Sequence, residues 1–417
     1  MLRGLEGVVG ETISQIFGAV YSVISSDSRA PHLLVAISSH GFGHLSQVAP
    51  VVNRLRELIP QLKITVRAAL PEAQLRSRIH HLDHVQHATD DFGMVMNHAF
   101  SVDTEASLAR YQSLHQGWDD KVNALAKQFI DAHVDVVLAD VPYLPLAAAQ
   151  VAGIPSVALC SLNWADILSH YVALDLAQTA ASTVGLSRTE PTHVSQAATQ
   201  PQAIIDTMYA AYQSARYFLQ PAPSMAMPKL NNQRAIGPCC APGVAQKQTL
   251  LSTAKQHKTL NNPWLVLVGM GGIPFELSLE HWPTQYQGRP LCYLVSPINA
   301  NTHPNALSID ATGLSYSDLV ASVDVIITKP GYGMFAEAAA AGVPVLFTAR
   351  GDWPETEALV TWLQDKAHCA QITTDALRAG AFEQELSQLL DQGPYTPVAP
   401  TGNDEAAALI AGLFTRT

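Results

Sequence analysis

The residues in this chain that could do chemistry gather in glycine-bearing turns. The first such turn is S-S-H-G-F-G-H-L-S-Q-V-A-P, residues 38–50, which follows an apolar run. Gly41 and Gly43 permit a tight turn and close backbone approach. His44 then opens the next helix, where a neutral imidazole can take a proton from a hydroxyl near pH 7. The alternative is a histidine that only caps the helix, and His40 is a second candidate in the same turn. Asp140 ends the run V-D-V-V-L-A-D. A carboxylate there can orient His44 and stabilise its protonated form, or simply cap the stretch after Pro142.

Three later turns suit an anion and a sugar. In V-G-M-G-G, residues 268–272, Gly271 and Gly272 let backbone N–H groups point at a phosphate. No G-K-[ST] follows, so this is not a P-loop. The run I-T-K-P-G-Y-G-M-F-A-E-A-A-A-A-G-V-P-V-L-F, residues 327–347, combines more features. Lys329 brings positive charge, Gly331 and Gly333 turn the chain, and a helix starting near Tyr332 carries Glu337 one turn in. The N–H groups of a helix start suit a pyrophosphate, and an acid one turn further can accept bonds from ribose hydroxyls. In R-G-D-W-P-E-T-E, residues 350–357, Asp352 and Glu355 are spaced for sugar hydroxyls and Trp353 for stacking; the alternative is a solvated loop.

The elements that must hold these turns read as short apolar strands alternating with helices. Strands are expected at 32–38, 62–66, 134–139 and 156–160, with helices at about 45–58 and 145–152, the latter stopped by Gly153. Runs apolar throughout, rather than alternating, predict parallel sheets covered on both faces. Five prolines between 220 and 246 punctuate the chain, and the rhythm restarts with strands at 264–268, 291–295, 323–327 and 345–347. The expected organisation is therefore an N-terminal amphipathic helix (1–30), a first domain (31–220), a Pro/Gly-rich linker (221–246) and a second domain (247–417). The helical spacing of Leu2, Leu5, Val9, Ile13, Ile16, Val20 and Ile24 suits packing on protein; weak association with a membrane surface is the alternative.

Composition narrows the classes. At 417 residues and 48% hydrophobic, the chain can bury two cores. A net charge of −11 with no basic run argues against nucleic acid. Five cysteines without a C-x-x-C pair argue against a disulfide framework or a cysteine zinc site and fit a cytoplasmic protein. No apolar run reaches the ~20 residues that span a bilayer. No D-x-D pair offers the usual carboxylates for a divalent cation, and His80, His81, His84 and His87 lack the pattern of a metal motif, so no metal is expected.

The run T-K-P-G-Y-G-M-F-A-E resembles the donor signature T-H-C-G-W-N-S-x-x-E of the UDP-glycosyltransferase superfamily, matching at Thr328, Gly331, Tyr332 and Glu337. Its K-P-G form is also similar to the plastid galactolipid synthases and the transferase that completes lipid II. G-H-L-S-Q-V-A-P resembles their G-H-x-x-P, V-L-A-D-V-P-Y the stretch bearing the partner aspartate, and D-W-P-E-T-E-A their sugar-contacting D-Q-P-x-N-A. The resemblance implies an α/β protein of the GT-B fold, with two Rossmann-like βαβ domains facing across a cleft. It implies a metal-independent, inverting glycosyltransferase of the hexosyl or N-acetylhexosaminyl type that uses a UDP-sugar as substrate and no cofactor. It gives the catalytic role to His44 and Asp140, the diphosphate to Lys329, Gly331 and Gly333, and the ribose to Glu337. The acceptor side falls to His40, Gly43, Asn163, Trp164 and Asp166 and the stretch 90–100. Lys329, Gly333 and Met334 depart from the histidine, asparagine and serine of that signature, and Trp353 from its glutamine. Two other readings share the architecture: a non-hydrolysing sugar-nucleotide 2-epimerase and a non-catalytic nucleotide-sugar-binding module.

Overall fold

A computed structural model of the chain describes residues 29–98, 101–183, 194–271, 277–348, 351 and 353–414. The N-terminal helix expected at 1–30 lies almost wholly outside them. The chain divides into two compact units: residues 1–40, 47–237 and 401–417 in one, 41–46 and 238–400 in the other.

The first unit is built on a seven-stranded sheet. Its strands are β1 (His32–Ile37), β2 (Lys63–Ala68), β3 (His84–His87), β4 (Val136–Asp140), β5 (Ser156–Leu159), β6 (Tyr217–Pro221) and β7 (Gln233–Ile236). They lie in the order β3-β2-β1-β4-β5-β6-β7, every pair parallel. The central strands β1, β4 and β5 are buried along their whole length, as continuous apolar runs demand. Helix α1 (Phe42–Leu58) follows β1 as one continuous element across the 46/47 boundary. Helix α2 (Leu144–Ala152) has Pro145 in its first turn and ends on left-handed Gly153. Helix α3 (Trp164–Thr183) follows β5.

The second unit repeats the plan. Its strands are β8 (Trp264–Gly269), β9 (Gln285–Tyr286), β10 (Arg289–Val295), β11 (Ala306–Ser308), β12 (Val325–Thr328), β13 (Val345–Thr348) and β14 (Cys369–Ile372). The order is β9-β10-β8-β12-β13-β14, with β11 also on β10. Only the two-residue β9 is antiparallel. Helix α4 (Tyr332–Ala341) links β12 to β13 and stops at left-handed Gly342; helix α5 (Thr356–Lys366) follows β13. Two apolar clusters cover the sheet: one holds Leu265, Leu267, Phe335 and Phe347, the other Val266, Tyr293, Trp282 and Phe382.

Two boundaries differ from the sequence expectation. The stretch 221–246 is not linker throughout, because β7 lies inside it and completes the first sheet between Pro228 and Pro238. Proline marks the ends of that strand, which keeps its N–H groups for the ladder. The final helix α6 (Gly402–Ala411) belongs to the first unit, not to a second domain running to 417. It buries Ala406, Ala407 and Ile410. Gly237 N–H donates to Glu405 Oε2 over 3.3 Å, and Arg54 Nε to Asp404 Oδ1 over 2.5 Å. A Cβ at Gly237 would lie 1.9 Å from Thr401 Oγ1 and 3.0 Å from Gly402 N, so only glycine admits this approach.

Candidate functional site

Parallel pairing brings three strand ends to one edge of the first sheet. Ile37 lies opposite Asp140, and Ala139 opposite Ala158. Ser38 N–H donates to Asp140 O over 2.7 Å and Cys160 N–H to Leu219 O over 3.1 Å, which continues the ladder past the strands proper. Asp140 and Cys160 therefore both stand at the carboxyl edge, where open α/β sheets bind their ligands. The first helical turn of α1 carries His44. One turn on, Gln47 holds the loop after β5: its Nε2 donates to Ser161 Oγ and its Oε1 accepts from Ser161 N, both at 3.3 Å. As a result a ring nitrogen of His44, a carboxylate oxygen of Asp140 and the Cys160 sulfur lie within 4.8 Å of one another, all buried.

The sequence-predicted pair His44 and Asp140 is thus brought together. Asp140 is not the cap of the next helix, since α2 is preceded by Tyr143 and has no side-chain cap bond. Cys160 and Gln47 were not anticipated. Only the position of Cys160 just past an apolar run, matching that of Asp140, could have drawn attention to it.

The other first-unit candidates form a separate packed corner. Trp164 is fully buried and its indole N–H donates to Asp91 Oδ2 over 2.6 Å. The His40 ring sits edge-on to Trp164 at 5.1 Å, with Nδ1 3.3 Å from Phe92 O. Asn163 caps α3: its Oδ1 accepts from Asp166 N over 2.8 Å, and its Nδ2 donates to Asp166 Oδ2 over 2.6 Å. Tyr209 O–H donates to the other Asp166 oxygen at 2.5 Å. Asn163 and Trp164, expected on the acceptor side, take part in these contacts. Both are fully buried, and their polar atoms bond at the helix start and in the core. Asp166 and His40 are half-buried, and Gly43 is exposed in the first turn of α1. Beside this corner lies a cavity of about 240 Å³ lined by Asp91, Phe92, Arg110, Ser113 and Lys121. Arg67 makes two bonds to buried Asp90, the residue before Asp91, at 2.6 and 2.8 Å.

In the second unit the turn after β12 meets the turn after β8. Thr328 Oγ1 donates to Gly269 O over 2.6 Å, pinning the two strand ends. A Cβ built on Gly271 would lie 3.2 Å from Lys329 Cε and 3.7 Å from its Nζ, so the ammonium group hangs over the Gly271 turn. Gly331 precedes the first turn of α4, whose N–H groups at 332–334 have no partner within the helix. Helix start and lysine thus supply positive charge to one strand-end corner. Glu337, 4% exposed, follows on the same helix. Burial, together with the Glu337 charge, pushes the Cys240 thiol up to about 12.

Two donor candidates are buried. Tyr332 is buried in the apolar core, where its hydroxyl accepts from Cys239 N–H over 2.8 Å. Trp353 is 5% exposed and its indole N–H donates to Glu355 Oε2 over 3.3 Å. Gly272 and Asp352 lie outside the described residues. His80, His81, His84 and His87 are exposed on and before the edge strand β3.

No protein-family model matches the chain, and no curated protein matches it in sequence. Solved structures do match. A UDP-glucosyltransferase from Polygonum tinctorium, described as capable of glucosylating indoxyl, aligns with 93% of this chain and 99% of its own at TM-score 0.55 and 13% identity. The spinosyn forosaminyltransferase SpnP aligns with 93% and 94% of the two chains at TM-score 0.53 and 14% identity. The calicheamicin glycosyltransferase CalG4 gives the same coverage at TM-score 0.52 and 15% identity. The chain has the GT-B fold of UDP-glycosyltransferases and macrolide glycosyltransferases. No described helix is long and apolar enough to cross a membrane.

Proposed function

We propose that the chain is a glycosyltransferase that moves a hexosyl or N-acetylhexosaminyl group from a UDP-sugar to an acceptor hydroxyl, with inversion and without a metal. The observation that carries this reading is the corner where Lys329 overhangs the Gly271 turn at the start of α4, with Glu337 further along that helix. A cation and helix N–H groups at one strand edge are what a departing diphosphate needs in place of a metal ion. Glu337 receives the ribose hydroxyls. Asp352 and Glu355 are assigned to the sugar hydroxyls.

His44 acts as the base. It takes the proton of the acceptor hydroxyl as the oxygen attacks the anomeric carbon, and the bond to the diphosphate breaks on the opposite side. Asp140 steadies the imidazolium that results, a role supported by its place within 4.8 Å of His44. The acceptor binds in the first unit near His40 and Asp166. Burial of the base keeps bulk water from competing for the donor.

Titration calorimetry with UDP, GDP, ADP and dTDP in EDTA tests the donor half. One diphosphate, UDP, is expected to bind, with binding weakened in Glu337→Ala. Absence of any nucleotide binding overturns the reading. UDP release from a UDP-sugar tests the chemical half, since a non-catalytic binding module shows none and a 2-epimerase interconverts the sugar instead.

A further inference from the structure

Cys160 is the member of the buried trio that the proposed transfer leaves unused. His44, Asp140 and Cys160 are the one group of three or more such side chains among the described residues whose ligand atoms converge. An imidazole nitrogen, a carboxylate oxygen and a sulfur form a mixed donor set that hard cations such as Mg2+ and Ca2+, which seek oxygen, do not favour. Zn2+ and its thiophilic relatives take all three donors. Three protein ligands leave a fourth tetrahedral position open.

We propose that His44, Asp140 and Cys160 bind a thiophilic divalent cation of the Zn2+ class, and that the bound cation blocks the base. The inhibitory half rests on reading His44 as the base; the binding half stands on the geometry alone. Zinc bonds of ~2.0–2.3 Å place tetrahedral ligand atoms about 3.3–3.8 Å apart. The present limit is 4.8 Å, so the three atoms must close by about 1 Å, which side-chain rotation supplies. The backbone that carries them is already held: Asp140 O accepts from Ser38 N, Cys160 N donates to Leu219 O, and Gln47 ties α1 to Ser161. On binding, the Cys160 thiol releases its proton to solvent, His44 contributes a neutral ring and Asp140 its carboxylate. The His44 nitrogen bound to the cation no longer has a lone pair for an acceptor proton.

The full chain, stripped with chelator and free of nucleotide, is titrated with Zn2+ by calorimetry and with Cd2+ while the ultraviolet thiolate-to-cadmium band is followed. One cation per chain with that band is expected. Cys160→Ser and Cys160→Ala, checked for native circular dichroism, should each lose the band and weaken Zn2+ by at least about tenfold. A band and affinity retained in both variants, which would place the cation at other thiols or at exposed histidines such as His84, overturns the site, as does the absence of stoichiometric binding to the wild-type chain. Stoichiometric Zn2+ should suppress donor turnover and EDTA should restore it; turnover unaffected by bound Zn2+ overturns the inhibitory half. A failure to bind UDP would sink the donor reading while leaving the cation titration intact.

Discussion

His44 and Glu337 divide the proposed reaction between them, and each can be removed without touching the other's role. His44→Ala takes away a general base, worth about 10²- to 10⁴-fold in rate. UDP release should fall by that amount, whereas the calorimetric Kd for UDP should hold. Glu337→Ala takes away charge-assisted bonds worth about 1.5–3 kcal/mol, so Kd for UDP should rise about 10- to 100-fold. If Glu337→Ala bound UDP as tightly as the wild type, the ribose assignment would be wrong. Both residues were visible in the sequence because each sits at a fixed offset from turn-forming glycines. Trp353 and Tyr332 were visible for the same reason, and both side chains are buried. Spacing marks where a side chain is attached, not which way it turns, and both turn inward.

Elements position those residues through a few specific contacts. Tyr332 joins α4 to the start of the second unit by accepting from Cys239 N–H. Tyr332→Phe leaves that buried N–H without its acceptor, at about 1–3 kcal/mol. A fall of that size in urea-unfolding stability is expected, and no change would mean the bond contributes nothing. Gly237 lets the backbone at the end of β7 pass against the start of α6. Gly237→Ala puts a methyl group where Thr401 and Gly402 stand, and overpacking of this kind costs about 1–3 kcal/mol. Its Tm should drop, and Gly237→Ala combined with Thr401→Ala should recover part of the loss. A Tm unchanged in the single variant would show that the segment simply moves aside.

For the whole molecule, acid stability is set in part by histidines folded in the neutral form. Burial, aided by Lys121, lowers His115 from 6.5 to about 4; its ring stacks on Trp118 and bonds the Tyr143 hydroxyl at 2.8 Å. His32, between Thr65 and Ala132 O, is lowered as well, chiefly by burial. Below pH 6.5 the unfolded chain takes protons that the folded chain refuses, so the unfolded state binds more protons and stability falls with pH. This contribution is complete above 6.5 and is lost as the pH drops toward 4. Urea unfolding across that window should show the decline, and His115→Gln should flatten it. A variant with the wild-type slope would assign the acid sensitivity elsewhere.

The buried central strands and the turns that follow them were legible in the sequence, whereas β3, β6, β7, β9, β11 and β14 were not. Runs such as L-L-V-A and V-V-L-A are apolar on both faces, and only a covered parallel sheet buries both. The sequence by itself also determined the order of the chemistry along the chain, because glycine and proline act on the residues next to them. Three things waited for tertiary structure: the return of α6 to the first unit, the inclusion of β7 in the first sheet, and the meeting of Cys160 with His44 and Asp140. The return of α6 and the meeting of Cys160 with His44 join residues far apart in the chain, and β7 joins its neighbour β6 across a proline-bearing stretch. Their proximity follows from strand order and register, which hydrophobic runs of similar length leave open and packing alone selects.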